Sequence, residues 1–241
     1  MKNIYIGFDQ VESVAWHTMV HSILSRSSIP VGIVPLKQST LQSIYKRERN
    51  NKQSNEFSFT RFLVPYLNDY TGWAIFFDCD MLVRADIKEL FSIADLPENR
   101  NKAILVVKHD YTPSTQEKYL GATQYIYPRK NWSSVILWNC AHEANRIVTP
   151  EYVNTAAPME LHQFKWLQDE DIGNLPVTWN WLVDEYPLGM GGIEKDDIKN
   201  WHWTIGGPYF DEYRNVDGAE DWFNEHSSVN HCLQKERLND I

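Results

Sequence analysis

The sequence predicts one α/β domain: a mostly parallel sheet with helices on its faces. A strand, an amphipathic helix and a second strand follow one another within the first 36 residues. Apolar runs then alternate with helical patterns up to residue 148, and only afterwards does the pattern become irregular. At 241 residues and 43% hydrophobic, the chain can also fill one large core.

The elements follow in order. "KNIYIGFD" reads as a strand ending near Gly7. "VESVAWHTMVHSILSRSS" carries Val14, Trp16, Val20, Ile23 and Leu24 at helical spacing and stops before Pro30. "VGIVPL" is the next strand, which completes a βαβ unit. "KQSTLQSIYKRERNNKQSNE" is a polar surface loop with some helix, and "FSFTRFLVPYLNDY" is helical, with a kink expected at Pro65. "GWAIFFDCDMLV" is a strand buried on both faces, "DIKELFSI" a short helix and "KAILVVKHD" a further buried strand. "NWSSVILWNC" is a strand leading into the helix "AHEANRIV". Beyond it aromatic residues and acids interleave. No repeat, low-complexity tract or Gly/Ser linker divides the chain, so a single domain over 1–241 is expected.

Composition excludes several roles. The net charge of −9 disfavours nucleic acid and anionic membrane surfaces as partners. "MKNIYIGFDQ" enters a strand directly with no apolar leader, and no run approaches the ~20 apolar residues that span a bilayer. Cys79, Cys140 and Cys232 are odd in number and lack CxxC spacing, which indicates neither a disulfide framework nor a zinc knuckle. A reduced, cytoplasmic protein is expected, with at most transient membrane association. Ten tryptophans, eight of them from Trp132 onward, serve either a core of large rings or a cleft with flat apolar walls.

Within "FFDCDMLV", residues two apart in a strand share a face, so Asp78 and Asp80 project together while Cys79 turns to the core. Two carboxylates so placed repel unless a cation lies between them. Oxygen ligands suit Mg²⁺ or Mn²⁺, and a nearby histidine tilts the choice to Mn²⁺. The competing reading is a strand end in solvent or a helix cap. Ligands of such sheets bind at the carboxyl ends of the strands. Asp9, the Asp78/Asp80 pair and His109-Asp110 all fall at such ends and are expected on one rim.

Several flanking segments extend this pattern. The apolar strand, Asp-x-Asp and "DIKELF" resemble the metal-binding region of nucleotide-sugar glycosyltransferases with the GT-A (Rossmann-like) fold. "SFTRFLVPYL" resembles the helix ahead of that motif. "NWSSVILWNC" is similar to the strand that begins Asn-Ser-Gly in glycosyltransferase family 8. "LQDEDIGNLP" with "WN" is similar to that family's Asp-Gln-Asp segment and later Leu-Pro and Asn. "HWTIGGPYF" resembles its late His-x-x-Gly motif. The resemblance is to family 8 and its bacterial and phage relatives, and it spans most of residues 2–210.

The resemblance implies a metal-dependent transferase moving a hexosyl unit from a UDP-linked donor to a hydroxyl acceptor, with retention of configuration. Asp78, Asp80 and His202 would hold Mn²⁺ or Mg²⁺. For His202, a hydrogen-bonded core histidine between tryptophans is the alternative; Gly206 and Gly207 would allow close backbone approach to a ligand and offer N–H groups to phosphate. Phe8 and Asp9 would meet the nucleotide, Asp9 being equally suited to capping the following helix. Arg61 and Lys108 would face the diphosphate or sugar, and Asn131, Trp132, Ser133 and Ser134 would line the sugar pocket. Asp169, Glu170 and Asp171 would stand near the anomeric carbon, a solvated acidic helix start being the plainer reading. Residues 1–110 would form the nucleotide half and 111–241 the sugar and acceptor half.

Two departures touch catalysis. Glu170 stands where the family has glutamine, and the family's lysine after the late histidine is absent. Lys108, Arg129, Lys130 or the metal alone would then have to balance the leaving diphosphate. A nucleotidyltransferase and a non-enzymatic carbohydrate-binding module are the rivals, although "IGFDQVES" lacks the Gly-rich basic loop of the former.

Overall fold

The computed structural model describes residues 1–48, 53, 55–110 and 128–230; Cys232 lies outside them. Its centre is a six-stranded sheet in the order β2-β1-β3-β6-β5-β7. The strands are β1 (Lys2–Phe8), β2 (Val31–Lys37), β3 (Trp73–Phe77), β5 (Ile104–Val106), β6 (Val135–Asn139) and β7 (Ile172–Asn174). Only β6 runs antiparallel to its neighbours, so the sheet is mostly parallel, as the alternating pattern predicts. Its central strands, β3, β5 and β6, are buried along nearly their whole length, which their continuous apolar runs require. β2 tolerates Pro35 because, among the described residues, it is an edge strand paired with β1 alone.

A second sheet has the order β4-β9-β8, formed by β4 (Met81–Val83), β9 (Asn200–His202) and β8 (Trp181–Leu182). It has its own core, with Trp181, Trp201, Trp203 and Trp222 packed around Leu82, Leu182 and Val183. With Trp138 and Trp179 also buried, six of the ten tryptophans are core residues.

Helix α1 (Ser13–Leu24) packs against β4 and against α6 (Ala219–Asn230). Buried Glu225 ties the two helices together, accepting from Arg26 at 2.6 Å and meeting the His21 ring. The segment before β3 differs from expectation. It is a 3₁₀ turn, Thr60–Leu63, running into the four-residue helix α2 (Val64–Leu67). Pro65 lies in the first turn of α2, where its missing N–H has no helical partner to lose, so it starts the helix and does not kink it. Helix α3 (Ile87–Ile93) forms as expected, with the Asp86 carboxylate accepting from the Lys88 N–H. The predicted helix after β6 is a 3₁₀ turn at Glu143–Ile147; α4 (Pro150–Thr155) and α5 (Pro158–His162) follow it.

Gly7 is dictated by packing: a Cβ there would lie 2.3 Å from the ring of buried Phe57.

A candidate metal centre at the carboxyl rim

Asp78-Cys79-Asp80 does not lie inside a strand. β3 ends at Phe77 and β4 starts at Met81, so the acids occupy the step where the chain leaves one sheet for the other. The backbone shows the handover. The Asp78 N–H donates to Ser134 O at 3.0 Å, beside the first sheet, and the Asp80 carbonyl accepts from Trp203 N–H at 3.0 Å, beside the second. Cys79 faces the core and is fully buried. The alternation expected of a strand thus survives across the junction, and its cause is pairing on both sides.

β9 lies antiparallel to β4 with Met81 opposite His202, which brings His202 beside Asp80. Asp80 Oδ1 is 3.4 Å from His202 Nε2, and ligand atoms of Asp78, Asp80 and His202 all fall within 4.8 Å of one another. Ligands on opposite sides of one Mg²⁺- or Mn²⁺-sized ion are separated by about 4.2 Å. Two carboxylates and an imidazole at this spacing therefore fit a hard divalent ion.

The surroundings are negative. Asp9, Glu12 and Asp78 are buried close to the Cys79 thiol, and burial first, then Glu12, Asp80, Asp78 and Asp9, push that thiol well above its usual range. Glu12 Oε1 accepts from the Tyr209 hydroxyl at 2.6 Å, and burial together with Glu12 pushes the phenol up strongly. Nothing in the sequence singles out Glu12 or Tyr209. Arg61 is the cation set into this acidic ground: Nη1 meets Asp78 Oδ1 at 2.8 Å and donates to Ser133 O at 2.8 Å. Arg61 therefore holds the first acid.

Asp9 accepts from Val11 N–H and Glu56 N–H, each at 3.0 Å, so it orders the turn before α1 and pins the segment preceding Arg61. Phe8 stands edge-on to Trp16 at 5.9 Å, with the Lys37 ammonium 5.3 Å from its centroid. Trp132 donates to His109 O at 3.0 Å, Ser133 Oγ is 3.0 Å from His162 Nδ1, and Ser134 Oγ donates to Asn131 O at 2.7 Å. Lys108 donates to Ile172 O at 2.8 Å, and desolvation lowers its pKa. The close approach that Gly206 and Gly207 permit is to tyrosine rings: a Cβ on either would meet Tyr213 at 2.3 Å or Tyr209 at 2.2 Å.

The three acids Asp169, Glu170 and Asp171 are not drawn into this cluster. They form a 3₁₀ turn at the amino end of β7, whereas the cluster sits at the carboxyl ends of β1, β3 and β5. Asp169 pairs with Arg129, and the Asp171 carboxylate accepts from Gln168 N–H at 3.0 Å in a capping box.

Sequence reasoning placed His109 on the rim but missed its partners. Asn180 Nδ2 donates to His109 Nε2 at 2.9 Å, and His109 Nδ1 faces the Tyr186 hydroxyl at 2.8 Å. Burial, with His202 nearby, pushes the His109 imidazole down to about 3 from 6.5. The unfolded chain therefore takes up this proton first as pH falls. Its contribution is complete above about pH 6.5 and drains towards pH 3, at up to ~1.4 kcal/mol per pH unit. The stability advantage of the wild type over His109→Gln is expected to shrink by about 1 kcal/mol between pH 6 and 5 in urea unfolding. Parallel pH curves for the two proteins would contradict this.

The fold is that of GT-A glycosyltransferases. The galactosyltransferase LgtC, in complex with donor and acceptor sugar analogs, matches with a TM-score of 0.59 at 12% identity, covering 99% of this chain and 100% of that one. The bifunctional glycosyltransferase WbbM matches at 0.55 and 14% identity; the chain, 99% of it covered, spans 51% of that protein's length. Identities this low show the fold alone. No family model matches the sequence. The chain belongs to the family of Protein CDI from Arabidopsis thaliana, to which it is 46% identical over 241 residues, covering 98% of this chain and 90% of that protein.

Proposed function

We propose that the chain is a glycosyltransferase that moves a hexosyl unit from a nucleotide-diphosphate sugar, UDP-linked in this reading, to a hydroxyl acceptor. The observation that carries it is the meeting of Asp78, Asp80 and His202 at the carboxyl rim of a GT-A sheet. Asp78, Asp80 and His202 would hold Mn²⁺ or Mg²⁺. When bound, the ion would neutralise the donor diphosphate and favour its departure as a Lewis acid.

The chain's own groups prepare that site. Arg61 holds one oxygen of Asp78 in place, so the two acids do not repel each other apart. The rim between Phe8, Asp9 and Trp132 offers the nucleotide and sugar an aromatic and polar surface. Asn131, Ser133 and Ser134 are already ordered by hydrogen bonds, which lowers the cost of presenting them to sugar hydroxyls. Lys108 and Arg129 flank Trp132 at 5.8 and 5.4 Å, and they or Lys130 would balance the departing diphosphate. Retention of configuration, and a role for Asp169, Glu170 and Asp171 at the donor sugar, follow from the family 8 resemblance. Nucleotide and sugar halves at about 1–110 and 111–241 follow from it too. No helix among the described residues is long and apolar enough to cross a membrane. The buried tryptophans weigh against a sugar-stacking module.

A thermal-shift panel of UDP, GDP, CDP and ADP, each with Mn²⁺, Mg²⁺ or EDTA, tests the reading. A ligand at 100 times its dissociation constant adds about 2.7 kcal/mol, a rise of roughly 5–10 °C for a domain of this size. The expected result is a shift with one diphosphate, present only with metal and absent in Asp80→Asn. A flat panel would remove the donor site.

A further inference from the structure

The hydrogen bonds around Asn180 have a fixed direction. The Asn131 carbonyl can only accept, so Ser134 Oγ, 2.7 Å away, donates to it. The Ser134 oxygen then accepts from Asn180 Nδ2 at 2.8 Å, and the same Nδ2 gives its other proton to His109 Nε2 at 2.9 Å. Both amide protons are thereby committed. Oδ1 is the atom left to face His202, and it lies 2.7 Å from Nδ1. An amide oxygen cannot donate, so the His202 proton resides on Nδ1 and the Nε2 lone pair faces Asp80. Asn180 is fully buried, and Ser134 and His202 are each 2% exposed, so bulk water cannot stand in for any partner. A reversed amide would set NH₂ against Nδ1, drive the proton to Nε2 and close that nitrogen to a cation.

We propose that Asn180 is a positioning residue for the metal centre: it holds His202 in the Nδ1–H tautomer and so frees Nε2 to bind the ion. This rests on the reading of Asp78, Asp80 and His202 as a metal site. The sequence segment "LPVTWN" placed an asparagine near the site without a role. The structure supplies one, through a chain that starts at a backbone carbonyl of the sugar-side wall and ends at the imidazole.

The test uses the full chain and Mn²⁺ alone, with two readouts. Long-range ¹H–¹⁵N NMR of the metal-free protein reports the His202 tautomer, and Mn²⁺ titration followed by EPR gives the affinity. The wild type is expected to show Nδ1–H. Asn180→Leu, similar in size, is expected to bind Mn²⁺ roughly 10- to 100-fold more weakly. Asn180→Asp keeps an acceptor towards Nδ1 and is expected to stay nearer the wild type than to Asn180→Leu. An Nε2–H tautomer in the wild type, unchanged affinity in Asn180→Leu, or equal losses in the two variants would each overturn the proposal. If Asn180→Leu does not fold, the wild-type tautomer and Asn180→Asp decide. Mn²⁺ binding that is absent from the wild type, or that survives His202→Ala, would defeat the metal reading, and the tautomer would then be judged by NMR alone.

Discussion

Arg61→Met is expected to cost about 3–5 kcal/mol of folding stability, the loss seen when one partner of a buried ion pair is removed. Arg61 is 4% exposed, and its guanidinium lies 5.4 and 5.0 Å from the rings of Phe57 and Phe76. Methionine keeps much of that apolar packing and deletes the charge. Asp78, 7% exposed and separated from Asp80 by one residue, then keeps its carboxylate in a poorly solvated place beside another acid. The Ser133 carbonyl loses its donor as well. Domains hold only about 5–15 kcal/mol in total, so the loss is large. The pair predicts its own rescue: Asp78→Asn added to Arg61→Met should recover most of the deficit, because no unpaired charge is left. Arg61→Lys should recover part of the deficit: a single nitrogen, Nη1, makes both contacts, and an ammonium keeps the charge but must reach that point from a shorter side chain. Urea midpoints of the four proteins decide it. A single-variant loss below 1 kcal/mol would show that Asp78 is held by something other than Arg61.

This pair shows where sequence reasoning stops. The order of strands and helices was legible because hydrophobic periodicity is a local property, and "KNIYIGFD", "VGIVPL" and "VILWN" each carry it alone. The rim was legible for the same reason: strand ends can be read, and parallel strands align them. What Arg61 touches was not legible. The family resemblance of "SFTRFLVPYL" implies a side chain aimed at the donor, and the fold adds that β3 and β6 put Asp78 and Ser133 O within its reach. The acids at 169–171 are a second case. Three adjacent charges attract attention in a sequence, and only the fold shows that they precede β7 and that Asp169 meets Arg129, whose guanidinium lies 5.4 Å from the Trp132 ring. Gly206 and Gly207 signal close approach, and coordinates add that a Cβ on either would meet a tyrosine ring. Glu12 carries no sequence signal, and the "WN" match placed Asn180 near the site without a role, because the importance of both lies in which atoms face which.

Asp80→Asn is expected to reduce metal-dependent glycosyl transfer by at least about a hundredfold, the scale on which losing one preorganised electrostatic contact acts. The substitution is nearly isosteric, and Asp80 is less buried than Asp78, so urea stability should change by no more than about 1 kcal/mol. Charge is what it removes. Asp80 brings the second negative charge of the cluster, and His202 cannot replace it because neutral imidazole brings a lone pair but no charge. His202→Ala should therefore lose less than Asp80→Asn at saturating Mn²⁺ and as much at limiting Mn²⁺. The double variant should lose scarcely more than Asp80→Asn, because the two residues act as one unit. The assay is diphosphate release from the nucleotide sugar whose base the thermal-shift panel selects, followed across Mn²⁺ concentrations. Independent, multiplicative losses from Asp80→Asn and His202→Ala would mean that the two side chains serve different steps. Near-wild-type turnover in Asp80→Asn would mean that the acids between β3 and β4 hold the sheets together and do no chemistry.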